Sequence, residues 1–331
     1  MSEPSGARGR VPCLLLTIAL VLSFSAATAK AQSSGKTARS NTKKASTTAE
    51  RAPDTFTLVG AGDIAGCANL PGAEATSRLI EQIPGTVFAA GDLAYENGSS
   101  SDFEHCYDPT WGKFKDRTRP ALGNHEYLTA RAAPYFDYWG ARAGPPGKGY
   151  YSYDLGSWHI VVLNTDCSRK DVGGCGEGAP EETWLRNDLA AHPDACVVAY
   201  GHYAMYSSGV LSWHARHTEL RTFWEDLYAA HADLMLSGHE HSYERFAPQD
   251  AHGQADPERG IRQITVGTGG RSHTLLGLPQ PNSEVRNDST YGVLKLTLSP
   301  GKYSWEFVPE EGKIFRDSGD ATCHNANRET K

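Results

Sequence analysis

From residue 55 onward, short apolar runs alternate with longer polar stretches, and run after run stops at a glycine followed by a residue able to bind a metal. Phe56-Thr57-Leu58-Val59-Gly60-Ala61-Gly62 stops at Asp63, and Thr86-Val87-Phe88-Ala89-Ala90-Gly91 stops at Asp92. Arg119-Pro120-Ala121-Leu122-Gly123 ends in Asn124-His125-Glu126, and Cys196-Val197-Val198-Ala199-Tyr200-Gly201 ends in His202. Leu234-Met235-Leu236-Ser237-Gly238 leads into His239-Glu240-His241. Runs this short, bounded by Gly and turn residues, predict buried strands. Trp158 to Asn164 and Ile261 to Gly267 read the same way. Helices are expected over Ala73 to Ile83, Pro180 to Leu189 with Pro in the first turn, and Glu219 to Ala230. Tyr291 to Leu298 and Tyr303 to Val308 form a hairpin through Ser299-Pro300-Gly301, in a sheet with one wetter face. The Gly/Pro/aromatic segment between Tyr135 and Tyr153 is read as a packed surface loop.

The pattern satisfies one architecture: an α/β fold, a four-layer αββα sandwich of two mixed sheets flanked by helices, with its strand-end loops converging on one edge. Open α/β sheets gather ligands at the carboxyl ends of their strands. An isolated Asp there is usually a cap or turn residue. Two of them at equivalent edges make a hard-oxygen pair suited to di- or trivalent metals. Tyr95, three residues after Asp92, is either a core aromatic or a phenolate ligand. In Asn124-His125 an amide oxygen and an imidazole stand in succession, suiting one to ligation and the other to proton donation. His239 and His241 point to one side only if the backbone between them is extended. His202, alone, would be a structural histidine; as the fourth such junction it is read as a ligand. His214 and His217, with Trp213, lie in the loop after His202, where substrate contact and helix entry are both open.

Two motif readings are excluded by spacing. Gly60, Gly62 and Gly66 run G-x-G-x-x-x-G, one residue too long for a dinucleotide fingerprint. His125 to Thr129 lacks the second histidine of a zincin.

Charge sharpens the picture. Residues 1–52 carry eight Lys/Arg against two Asp/Glu, which leaves 24 against 37 downstream, a net of −13. So acidic a domain argues against a nucleic-acid-binding surface. Arg8 and Arg10 precede the apolar run Leu14 to Phe24, followed by small residues through Ala31, the order of a secretory signal peptide cleaved after Ala29 or Ala31. The run falls short of the ~20 apolar residues a membrane span needs. The expected organisation is a signal peptide over 1–31, a flexible basic Ser/Thr/Lys linker over 32–53, a catalytic domain over 54–320 and a tail over 321–331. Losing Cys13 with the signal leaves six cysteines, and an even number in an exported chain predicts disulfides. The pairings expected are Cys167 with Cys175, which bracket a glycine-rich loop, Cys67 with Cys106, and Cys196 with Cys323. Free buried thiols are the alternative, and no C-x-x-C argues for a cysteine zinc site.

Taken in order, Gly62-Asp63, Gly91-Asp92 with Tyr95, Gly123-Asn124-His125-Glu126, Gly201-His202 and Gly238-His239-Glu240-His241 resemble the calcineurin-like metallophosphoesterase superfamily. The tyrosine at 95 and His241-Ser242-Tyr243-Glu244-Arg245 look like its purple acid phosphatase branch, in the small, single-domain, secreted form. That resemblance, over residues 55 to 320, implies one metal on Asp63, Asp92, Tyr95 and His241 and a second on Asp92, Asn124, His202 and His239, with Asp92 shared. It implies Fe(III) in the first site and Zn(II), Mn(II) or Fe(II) in the second. It further implies hydrolysis of a small phosphate monoester by metal-bound hydroxide, with His125 as general acid. Ala65 stands where relatives have Gly or His, so Tyr95 must supply the first metal's extra ligand. His214 follows His202 by twelve residues, longer than the family's spacing to its substrate-contacting histidine. A phosphodiesterase acting on nucleotides or phospholipid head groups, and a non-catalytic secreted metal-binding protein, are the competing readings.

Overall fold

The computed structural model describes residues 55–210 and 216–326. In chain order its strands are β1 (Phe56–Ala61), β2 (Ala65–Gly66), β3 (Thr86–Ala90), β4 (Ala94–Tyr95) and β5 (Thr118–Ala121). There follow β6 (Tyr151–Leu155), β7 (Trp158–Val162), β8 (Cys196–Tyr200), β9 (Leu234–Ser237) and β10 (Tyr243–Phe246). The last are β11 (Arg262–Val266), β12 (Ser283–Asn287), β13 (Gly292–Ser299), β14 (Lys302–Pro309) and β15 (Ser318–Thr322). They build a six-stranded sheet in the order β15-β14-β13-β1-β3-β5 and a seven-stranded sheet in the order β12-β10-β11-β9-β8-β7-β6, with β2 and β4 paired separately. Both large sheets are mixed: β1-β3-β5 and β7-β8-β9-β11 run parallel, and the outer pairs run antiparallel.

The side-chain period of two sorts each strand between layers. In β8, Val198 and Tyr200 join the core shared with Leu58, Phe88, Leu236 and Ile264, while Val197 and Ala199 face the other way. Across the inter-sheet core the Phe88 and Tyr200 rings lie 5.6 Å apart. On the other face, Val197 and Met235 meet Leu185 and Leu189 of the helix Pro180–Ala191 and Phe223, Trp224 and Leu227 of the helix Arg221–Ala229. The helix Leu70–Gln82 covers the first sheet, burying Ala73 and Ile80. Helix, sheet, sheet, helix is the four-layer order the sequence predicts. Truncating a fully buried aromatic such as Phe88 to Ala would cost about 3–5 kcal/mol.

Differences from expectation concern edges and ends. The first helix starts at Leu70, with Pro71 in its opening turn, where a missing N–H costs nothing. The segment read as a loop between Tyr135 and Tyr153 contains most of a helix, Ala133–Trp139, and the start of β6. Strands β12 (SEVRN) and β15 (SGDAT) close the two sheets at their edges, where polar residues are favoured and the apolar signal is absent. β15 runs to Thr322, and Asn325 is still buried. Disulfides join Cys67 to Cys106, Cys167 to Cys175 and Cys196 to Cys323, the three pairings expected.

Candidate metal centre

Strands β1, β3, β5, β8 and β9 end on one edge, and their next residues converge there. Asp63 follows β1, Asp92 follows β3, Asn124 follows β5, His202 follows β8, and His239 and His241 lie between β9 and β10. Asp63, Asp92 and His239 adopt φ of 59°, 51° and 70°, left-handed conformations uncommon outside glycine. Strain of this kind, of order 1–3 kcal/mol per residue, collects at functional sites.

The glycines of the repeated junctions have a steric reason. A Cβ on Gly123 would come within 2.2 Å of Asp92 Oδ1, and one on Gly91 within 2.5 Å of His202 Nδ1. Each glycine leaves room for the polar side chain arriving from the neighbouring junction.

At the centre the Tyr95 hydroxyl donates to Asp63 Oδ1 at 2.8 Å and Asp92 Oδ2 at 2.9 Å, with His241 Nε2 at 3.2 Å. That makes one cluster of donor atoms. His202 Nε2, 3.1 Å from Asn124 Oδ1 and 3.3 Å from His239 Nδ1, makes a second. Asp92 Oδ2 lies 3.3 Å from His202 Nε2 and so belongs to both.

The far ring nitrogens fix which atoms face inward. His202 Nδ1 donates to the Ala90 carbonyl at 2.9 Å and His241 Nδ1 is hydrogen-bonded with Ser272 Oγ at 2.6 Å, leaving Nε2 of each aimed at the carboxylates. Partners of this kind orient metal-binding imidazoles. Two carboxylates, a phenol, an amide oxygen and three imidazoles, drawn into two clusters sharing one oxygen, fit a pair of metal ions.

Charge within the site is organised the same way. Burial opposes ionisation of Asp92, yet His202 and then His125 hold its carboxyl well below the usual range. Burial likewise opposes the charge on Asp63, and His241 outweighs it to lower that carboxyl. Burial would lower His202, but Asp92 and Asp63 push it up to about 10. Burial and the cation at His202 push His239 down to about 3. Burial, with the two carboxylates, raises Tyr95 well above a free phenol. Its proton sits between those carboxylates, where a multivalent cation could replace it.

His125 stands apart from both clusters, its Nε2 3.8 Å from Asp92 Oδ2. Its Nδ1 donates to the Glu96 carbonyl and its backbone N–H donates to Asp92 Oδ1 at 2.9 Å. His214 lies outside the described residues. His217, from the same loop, stacks on Tyr203 with centroids 3.7 Å apart, and its ring is 5.4 Å from that of His239.

Several site residues escaped the sequence reading. Glu126 is fully buried and accepts main-chain N–H bonds from Asp92, Leu93 and Gly123 at 3.0, 2.8 and 2.9 Å, tying two junctions together. Thr165 Oγ1 accepts from the backbone of His202 and Tyr203. After β11, Gly269 and Arg271 donate main-chain N–H bonds to the Gly62 and Asp63 carbonyls, and Ser272 reaches His241. The Glu126 signal was its place beside Asn124-His125; nothing in the sequence marks Ser272.

The arrangement is a candidate two-metal site built at strand ends. Residues 56–243 match the calcineurin-like phosphoesterase family, and the chain belongs to it. Its relatives include purple acid phosphatase 15 of Arabidopsis thaliana, 26% identical over 60% of this chain and 42% of that one. The Fe(3+)-Zn(2+) purple acid phosphatase 12 of the same plant is 26% identical over 74% of this chain and 59% of its own length. The structure of purple acid phosphatase PPD1 from yellow lupin (Lupinus luteus) seeds aligns with a TM-score of 0.66 at 19% identity, over 81% of this chain and 54% of that one. The chain thus spans about half the length of the curated relatives it matches. No helix among the described residues is long and apolar enough to cross a membrane.

Proposed function

We propose that the protein is an exported phosphatase hydrolysing small phosphate monoesters at a dinuclear centre. The observation that carries this is the single oxygen, Asp92 Oδ2, lying 2.9 Å from the Tyr95 hydroxyl and 3.3 Å from His202 Nε2, with His125 beside it. On this reading Asp63, Asp92, Tyr95 and His241 hold Fe(III), and Asp92, Asn124, His202 and His239 hold Zn(II), Mn(II) or Fe(II). The metal pair supplies Lewis acidity, bringing the pKa of water toward neutrality and neutralising phosphoryl charge. An acidic domain can then accept an anionic substrate.

His125 acts on the leaving group. Because Nδ1 donates to the Glu96 carbonyl, the proton it can give away is carried on Nε2, the atom that faces Asp92. It passes that proton to the departing alkoxide, as a general acid does. Export is supported by three disulfides, which persist in oxidising compartments.

The test is metal analysis and a visible spectrum of protein purified without added metal, with turnover measured on a chromogenic monoester and the matching diester. Bound iron, a mid-visible band that vanishes in Tyr95→Phe, and preference for the monoester are expected. Preference for the diester would replace the substrate class. No turnover of either ester by fully metallated protein would reject the enzyme.

A further inference from the structure

Arg271 belongs to no strand-end junction, yet its side chain crosses the face of the site. Its guanidinium carbon lies 5.0 Å from the centroid of the Tyr95 ring, and the same guanidinium pairs with the carboxylate of Glu96. The main chain holds the residue on both sides: its N–H donates to the Asp63 carbonyl at 3.0 Å, and its own carbonyl accepts from Asn69 Nδ2 at 3.1 Å. Gly66 makes space for it, since a Cβ there would stand 3.0 Å from Arg271 Cδ and 3.2 Å from Nε. Nothing about an exposed surface arginine requires two backbone anchors and a cleared path.

The two groups it touches are the two whose orientation matters most. A guanidinium against an aromatic ring is attracted by the ring's π electrons. A phenolate ring, richer in electrons, is held more strongly. Glu96 carries the carbonyl that accepts from His125 Nδ1, and the His125 and Tyr95 rings lie 4.3 Å apart. One cation therefore bears on the phenol directly and on the proton donor through a single residue.

We propose that Arg271 is a positioning residue of the centre: it holds the Tyr95 ring by a cation–π contact and, through Glu96, the carbonyl that aims His125. This rests on the phosphatase reading above. Two consequences can be separated. A positive charge lying against the ring stabilises the ring's electrons, so charge transfer from the phenolate to a bound metal would need more energy with Arg271 in place. Loss of the hold on Glu96 lets His125 swing, which lowers kcat while leaving substrate binding alone.

The experiment reconstitutes wild type, Arg271→Met and Arg271→Lys with Fe(III) and Zn(II), verifies two metals per chain, and records visible spectra, kcat and KM. For Arg271→Met the band should move to longer wavelength, and kcat should fall about tenfold with KM within about twofold, the pattern of lost alignment. Arg271→Lys keeps the charge without the planar fork, so it should restore the band more than kcat. An unmoved band and unchanged kcat in a fully metallated Arg271→Met protein overturn the proposal. If the active protein is colourless, the split between kcat and KM decides. A wild type without turnover would overturn the phosphatase reading instead, an outcome distinct from a competent wild type indifferent to residue 271.

Discussion

Replacing Glu126 by Gln changes one oxygen for an NH2 group in a place where every approaching group is a donor. Oε2 accepts the N–H groups of Asp92 at 3.0 Å and Gly123 at 2.9 Å; Oε1 accepts those of Leu93 at 2.8 Å and Ala94 at 3.4 Å. Whichever way the amide turns, two buried N–H groups face an NH2. An orphaned buried donor costs about 1–3 kcal/mol, or about 2–6 for the pair. Above about pH 8 the variant also relieves a buried charge, for burial and the nearby Asp92 push the Glu126 carboxyl up to about 8 against the pull of those N–H bonds. The net loss should therefore fall at about 2–4 kcal/mol, in the lower part of that range. For a domain of this size that corresponds to a drop in Tm of roughly 5–15 °C. Since the two loops it joins carry Asp92 and Asn124, metal affinity should fall with it, by about 10–100-fold, as when other supports of a metal site are removed. Thermal melts at about pH 9, where the carboxylate is ionised, and dialysis against a graded chelator read the two effects. A Tm within 2 °C of wild type would show that these N–H groups do not depend on the carboxylate, and the argument would fail.

Three further outcomes are expected. His125→Ala should lower kcat by about two to four decades while metal content by elemental analysis is unchanged; retained turnover would remove it from the reaction. At His159, burial lowers the pKa but Asp188 and Asp154, at 2.9 and 2.8 Å, outweigh it and raise it above the usual 6.5. The stabilisation is then full below about pH 6.5, the unfolded value, and fades as pH rises through the higher folded value. His159→Gln should flatten the decline in Tm between pH 6 and 8.5 relative to wild type, and parallel profiles would count against it. Removing the Cys196–Cys323 bond, which spans 127 residues, should cost about 4–5 kcal/mol on the chain-entropy account. Metallated Cys323→Ser should nonetheless keep its kcat, because Cys196 opens β8 and His202 lies beyond its other end; a loss of kcat would show coupling along the strand.

How much of this was legible in the sequence follows from how each residue is placed. Asp63, Asp92, Asn124, His202, His239, His241 and His125 sit within a few residues of strand ends, so local periodicity and a nearby glycine were enough to nominate them, whereas Tyr95 stayed open until the family resemblance implied a ligand. The two-sheet architecture was legible for the same reason, since central parallel strands bury both faces and appear as continuous apolar runs. Edge strands β12 and β15 are polar and gave no such signal. Glu126, Thr165, Ser272 and Arg271 were hidden for a different reason: each acts on a residue dozens to hundreds of positions away. Arg271 reaches Glu96 across 175 positions, and His241 reaches Ser272 across 31. A serine or arginine in a polar loop is unremarkable until tertiary crossing gives it a partner. His217 shows the intermediate case. Sequence spacing from His202 drew attention to its loop, but only the stacked Tyr203 and the neighbouring His239 ring set it beside the candidate centre. If it meets the substrate there, His217→Ala should raise KM about tenfold, the loss of one charge-assisted contact of about 1.4 kcal/mol, with a smaller change in kcat. Steady-state rates on a monoester would reveal it. Equal KM values would leave His217 as the entry residue of the helix that follows, a role its 2.8 Å contact with Glu219 already serves.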